Sequence, residues 1–233
     1  EGAVGSEFKI DASYLSPNVS LATSIERATE AYGVSLMVGQ SVMDLAGQEL
    51  PRYCRLIDRV SVPGSSWPTR LYCVDLDVAR AEVDRSRAPW VAWNARQRFK
   101  VRQYMDAEKR KMLEEDYDAL ALFRTDPVIA AMRSPFTEEF LQLYKMGYRN
   151  YSEGEWQVAS RLFSSTRFLL GMEDGPSSSL LSFMASHDNE APETWQGFRP
   201  LASDLSWLSS GLRRNSARAL SLTGSLPCLR VPL

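Results

Sequence analysis

Few groups in this chain have the types and spacing that catalysis or metal binding requires. The one histidine, His187, lies in the polar run Ser186-His187-Asp188-Asn189. An imidazole beside one of the many serines is the chemical option there, because it titrates near neutral pH. A solvated loop histidine is the plainer expectation. Asp58 and Asp75 fall on runs with strand character and offer oxygen ligands of the kind a divalent cation takes. Arg55, Arg59 and Arg70 are near them in sequence, so structural ion pairs are the expectation. Arg96, Arg98, Lys100 and Arg102 could touch phosphates but read as the solvated face of a helix. Trp156, Trp195 and Trp207 read as packing anchors rather than as a platform for stacked bases. Cys54, Cys73 and Cys228 are widely spaced, form no CxxC pair and read as free thiols of a reducing compartment. The chain has no GxGxxG, no Walker Gly-Lys-Ser/Thr and no HExxH.

Composition narrows the field further. Of 233 residues, 44% are hydrophobic and 24% charged, the values of an ordinary globular protein. A net charge of -2 gives no global field favouring nucleic acid or an anionic membrane, so no nucleic-acid partner is expected. No run approaches the roughly 18 consecutive apolar residues of a membrane span, so no transmembrane segment is expected. The sequence opens at Glu1 without a basic, apolar or Arg-rich leader, which reads as a processed or fragmentary chain. An intracellular protein of unassigned compartment is the expectation.

The elements that would position these groups follow from periodicity and punctuation. Phe8 to Leu15 reads as a short strand or hairpin arm, and Ser16-Pro17-Asn18 as a helix start. Val19, Ala22, Ile25, Ala28 and Tyr32 recur at three and four residues, and Gly33 ends that helix. Val34 to Val38 reads as a buried strand and Val42 to Ala46 as a short helix closed by Gly47. Strands are expected over Tyr53 to Val62 and Arg70 to Leu76, joined by the turn cluster Pro63 to Pro68. This order is an α/β or α+β signature that leaves sheet edges and a helix face to be covered by another half.

Beyond residue 78 the pattern turns helical. Ala92 to Phe123 reads as one long charged helix, with Phe99, Met105, Met112, Leu113, Tyr117 and Leu120 on one face. Ser134 to Glu139 starts another helix with Pro in its first turn, and Phe140, Tyr144 and Tyr148 mark its face. After the turn at Ser152-Glu153-Gly154-Glu155, a helix carries Trp156, Ala159, Leu162, Phe163 and Thr166. The pair resembles a single tetratricopeptide-like hairpin, which cannot bury its own apolar face and must dock on something. Asp174-Gly175-Pro176-Ser177 caps a helix through Met184, and Trp195 anchors a loop. The Ser-, Leu- and Arg-rich stretch 203–233 reads as weakly ordered or ordered by a partner.

Gly5 to Asp11, followed by Val19-Ser20-Leu21-Ala22-Thr23-Ser24-Ile25-Glu26, Ala31-Tyr32-Gly33-Val34, Arg55 to Gly64 and Arg70 to Leu76, resembles the back half of a class III adenylyl or guanylyl cyclase domain. In that family a strand leads into a Val-Asn-x-Ala-x-Arg-x-Glu helix. Tyr148 to Ala159, Asp174 to Ser177 and Trp195 to Arg199 are similar to the helical tail after some protist cyclase domains. The implied organisation is a cyclase-like α/β (α+β) half-domain over 1–78, an α-helical tail with one tetratricopeptide-like hairpin over 79–202, and the segment 203–233.

The resemblance also implies a chemistry and its loss. Family members close the ribose 3′-hydroxyl onto the α-phosphate, using two metal ions held by carboxylates of the front half, before the point where this chain begins. The back half supplies an Asn, an Arg one turn later and a Lys before a Gly. Here the matching positions hold Ser20, Ser24 and Pro63. Serine lacks the guanidinium fork that grips phosphate, and proline has no charge. The purine-reading position falls near Ser13, which could still hydrogen-bond a base. The implied function is a catalytically degenerate cyclase-homology module, acting as an interaction, regulatory or structural subunit of a larger assembly. Its partner would be another protein covering the sheet edge and helix faces, such as a cyclase-like half. The alternative is a fragment of an active cyclase that forms cyclic nucleotide from ATP or GTP when paired with an intact half. No cofactor is expected for the chain alone; Mg or Mn enters only in such a pairing. A third option is a nucleotide-sensing pseudoenzyme that binds through Ser13 and backbone groups.

Overall fold

Local chemistry sets the first elements. The computed structural model describes residues 2–6, 9–13, 16–47, 49–62, 65, 67–81, 94–118 and 120–201. Strands β1 (Gly2–Ser6) and β2 (Lys9–Ser13) form an antiparallel hairpin with Gly2 opposite Ser13. Helix α1 (Pro17–Tyr32) is capped by the Ser16 hydroxyl, which accepts from the Val19 N–H at 3.2 Å. It stops at Gly33, whose φ of +60° is the left-handed conformation that closes helix ends. Its inner face buries Ile25, Ala28, Ala31 and Tyr32.

Strand β3 (Met37–Gly39), helix α2 (Gln40–Leu45), strand β4 (Cys54–Ser61) and strand β5 (Thr69–Val74) follow. Strand β3 is shorter and later than the expected Val34 to Val38 run, and Leu36 is exposed. The sheet order is β3-β5-β4-β6, where β6 (Arg199–Pro200) runs parallel to β4 and the other neighbours are antiparallel. Between Leu56 and Asp58 the β4–β5 register shifts, so Ile57 is an extra residue. A bulge of this kind reverses the in–out alternation. Ile57 and Asp58 are therefore both fully buried, although they are consecutive.

The helical part departs from the sequence expectation in two places. The single helix over Ala92 to Phe123 is instead α3 (Ala95–Lys111), a run of turns, and two short helices, α4 (Ala121–Thr125) and α5 (Pro127–Arg133). No residue of α3 is buried, and Phe99, Met105, Met112, Leu113 and Tyr117 are exposed rather than lining a core face. Glu114, Glu115 and Asp116 explain the early stop, because carboxylates oppose the negative end of a helix. Helix α6 (Glu138–Glu153) is capped by Thr137, so Pro135 lies ahead of the helix rather than in its first turn.

Helix α6, α7 (Trp156–Thr166) and α8 (Gly175–Ala185) cover the sheet. One apolar cluster joins Tyr32 of α1 and Ile57, Val60 and Leu71 of the sheet to Tyr144, Trp156, Phe163, Leu180 and Met184 of these helices. The class is α+β: a mixed four-stranded sheet with helices. No helix among the described residues is long and apolar enough to cross a membrane. Pro63, Trp207 and the stretch 203–233 lie outside the described residues.

Candidate functional site

Ser20 and Ser24 lie one turn apart on α1, with Ser24 in line with the buried Ala28 and Ala31. Ser20 is exposed, and the half-buried Ser24 donates its hydroxyl to the Ser20 carbonyl at 3.0 Å. This back-bonding is what serine commonly does inside a helix, and it directs the hydroxyl to its own backbone. Ser13 belongs to β2, where only the backbone is described.

The charged groups concentrate instead where the sheet meets the tail. Arg55 points from β4 to Asp75 just past β5, donating from Nε and Nη2 at 2.8 to 3.2 Å. Its other edge donates to Asp174 at 2.8 and 3.1 Å. The guanidinium lies 4.3 Å from the Tyr144 ring centre and 4.9 Å from that of Phe140. Asp174 is also the N-cap of α8, accepting from the Ser177 N–H at 2.9 Å and its hydroxyl at 2.6 Å. Burial raises the Cys73 thiol well above its ordinary range, opposed by Arg55 and helped by Asp75, whose carboxylate it contacts at 3.3 Å.

A second buried cluster forms around Asp58, which the bulge turns inward. Arg199 donates to it at 2.7 Å and the Tyr32 hydroxyl at 2.6 Å. Arg199 also donates to the Tyr32 oxygen at 3.0 Å and to Ser179 at 3.1 Å. Burial holds the Tyr32 phenol well above its ordinary value, with Arg199 opposing and Asp58 adding to the rise. The ion pairs expected for the two aspartates are thus present, but Asp58 takes Arg199 of the tail rather than Arg59 or Arg70. Both carboxylates are held by arginines in separate clusters, which does not fit a shared Mg or Mn site. Among the described residues, no group of three or more His, Cys, Asp or Glu side chains is placed to hold a metal.

A cleft of about 260 Å³ opens above the Arg55 cluster, between the end of α1, the strand exit Leu76–Ala79 and the start of α8. Gly175 allows this meeting: a Cβ on it would collide with the Tyr32 carbonyl. Asp75, Asp77, Glu173 and Asp174 line the cleft with Arg55, and each carboxylate is paired with an arginine: Asp75 and Asp174 with Arg55, Asp77 with Arg80 and Glu173 with Arg167.

His187 follows the end of α8; its Nδ1 lies 3.0 Å from the Ser186 hydroxyl and 3.2 Å from the Phe183 carbonyl, which the same hydroxyl approaches at 2.7 Å. The pair is exposed, with the Phe183 carbonyl rather than a carboxylate beside the imidazole. Trp156 and Trp195 anchor the tail as expected: their rings meet edge-on at 4.9 Å, and both indole N–H groups donate to the Tyr151 carbonyl. Asp174 was legible as a cap, but nothing in its neighbourhood disclosed Arg55; Arg199 carried no signal beyond its place in the tail.

Architecture and site define a mixed-sheet α+β protein with two buried arginine–carboxylate clusters. No protein-family model, curated protein or solved structure matches the chain.

Proposed function

We propose that the chain is a catalytically degenerate nucleotidyl cyclase-homology module, with a helical tail resembling a tetratricopeptide-like hairpin, that serves as an interaction, regulatory or structural subunit. The observation that carries this reading is the Ser24 hydroxyl bonded back to the Ser20 carbonyl. At the two α1 positions where the resembled family holds an amide and a guanidinium, this chain holds short hydroxyls, with neither the amide's reach nor the charged fork of a guanidinium. The arginines spent on buried carboxylates point the same way.

The same reading supplies the surface a partner would cover. Among the described residues strand β3 is an edge of the sheet, with exposed Leu36 just before it and exposed Val42 and Leu45 on α2 just after it. An open edge beside exposed apolar side chains is a template for another protein.

Purified chain should form no cyclic nucleotide from ATP or GTP with Mg or Mn, and calorimetry should register no nucleotide binding. Turnover by the chain alone would remove the reading. Turnover that arises only on mixing with an intact cyclase half would replace it with the accessory half of an active enzyme.

A further inference from the structure

Arg199 takes the Asp58 carboxylate and leaves over the two arginines that the sequence sets beside it, Arg59 and Arg70. These two stand directly opposite one another across β4 and β5. Their neighbours Asp58, Val60 and Leu71 are buried, so strand alternation turns both guanidinium groups to the side of the sheet away from the core. Arg70 is exposed and Arg59 half-buried. Among the described residues neither side chain has an ion pair or a hydrogen bond, and the Arg59 guanidinium meets only the Phe198 ring, at 5.7 Å.

Like charges set directly opposite on a sheet repel. The fold therefore carries two adjacent cations with no countercharge of its own. The turn that joins the two strands adds Trp67, which is 80% exposed, with the Ser65 hydroxyl donating to its carbonyl at 3.0 Å. Tyr72 follows Arg70 on the same side of β5 and is half-buried. Arginine, tryptophan and tyrosine are the residue types that anchor protein interfaces.

We propose that Arg59 and Arg70 are the docking point for an acidic segment of a partner protein, two carboxylates of which take the two guanidinium forks. Charge complementarity carries the assignment. A guanidinium matches a carboxylate through two parallel hydrogen bonds, and two of them side by side call for two negative charges. Binding relieves the repulsion across the strands, and Trp67 offers an apolar anchor beside the charges. The inference rests on the subunit reading above and names the chemistry of its partner. Its failure leaves that reading the open β3 edge, whereas nucleotide turnover by the purified chain removes that reading and leaves the peptide result unchanged.

Fluorescence anisotropy of labelled hexaglutamate with the full chain tests it. Hexaglutamate should bind and hexaglutamine should not, and binding should weaken between about 0.05 M and about 0.5 M salt. R59A/R70A should raise the dissociation constant at least about ten-fold. R59K/R70K keeps the charges without the forks and should fall between the two. Neither arginine holds a carboxylate in the fold, so neither variant should melt below wild type, which separates lost binding from lost structure. R59A/R70A binding the peptide as wild type does overturns the proposal. So does a peptide released instead by R96A/R98A/K100A, which places it on α3, or an oligothymidylate that binds the arginine pair more tightly than hexaglutamate.

Discussion

Arg55 and Asp174, 119 residues apart, meet through hydrogen bonds of 2.8 and 3.1 Å, and the same carboxylate caps α8. One side chain thus holds a helix start and half the countercharge of a buried cation. Asp174→Ala removes both and leaves Arg55 paired with Asp75 alone, with an expected loss of about 1.5–3 kcal/mol from the charged hydrogen bonds and roughly 1 kcal/mol from the cap. Asp174→Asn keeps the cap and should lose less. Urea unfolding of the two variants separates the contributions.

Gly175→Ala should destabilise even though alanine is the better helix former. The added Cβ collides with the Tyr32 carbonyl where α1 and α8 meet. A backbone neighbour cannot swing aside as a side chain can, so overpacking of about 1–3 kcal/mol is expected. A drop in melting temperature checks it; a rise would show that the helices separate freely.

Tyr32→Phe and Tyr151→Phe remove the same atom with opposite expected results. The Tyr32 hydroxyl joins Asp58 to Arg199, so its loss should cost about 1.5–3 kcal/mol, the range for a hydrogen bond to a charged group. The Tyr151 hydroxyl is buried with no hydrogen-bond partner among the described residues. Its removal should be neutral or stabilising by about 1 kcal/mol. Paired chemical denaturation reads both signs.

High pH should unfold the protein. Burial raises the Tyr32 and Tyr144 phenols and the Cys73 thiol in the folded state, each opposed by its nearby arginine. The unfolded chain therefore releases these protons first as pH rises. Their contribution is whole below the ordinary values, 9.0 for the thiol and 10.0 for the phenols, and is lost progressively above them. Unfolding midpoints between about pH 8 and about pH 11 should fall across the upper part of that window.

Cys54 and Cys73 should resist alkylation in the native state. Burial pushes the Cys54 thiol up to about 11, against the pull of Arg133, and Cys73 is fully buried. The thiolate is the reacting species, so both should stay unmodified near pH 8 and react on unfolding. Peptide mass mapping before and after urea resolves the two sites.

The sequence by itself determined where α1 and α8 begin and where α1 and α6 end. Ser16 and Asp174 cap α1 and α8, and Gly33 and Gly154 close α1 and α6 in left-handed conformations. Those signals act within three or four residues, so a single chain displays them. It also marked β4 and β5 and the aromatic face of α6 that docks on the sheet. Tertiary structure alone decided the rest. The bulge at Ile57 depends on the register with β5, and one extra residue turned Asp58 into the core, where its ion pair is with Arg199 rather than Arg59 or Arg70. Arg199 reaches that carboxylate across 141 residues, and Arg55 reaches Asp174 across 119. A charge shows its type in sequence, but its partner is set by which backbone segments the core brings together.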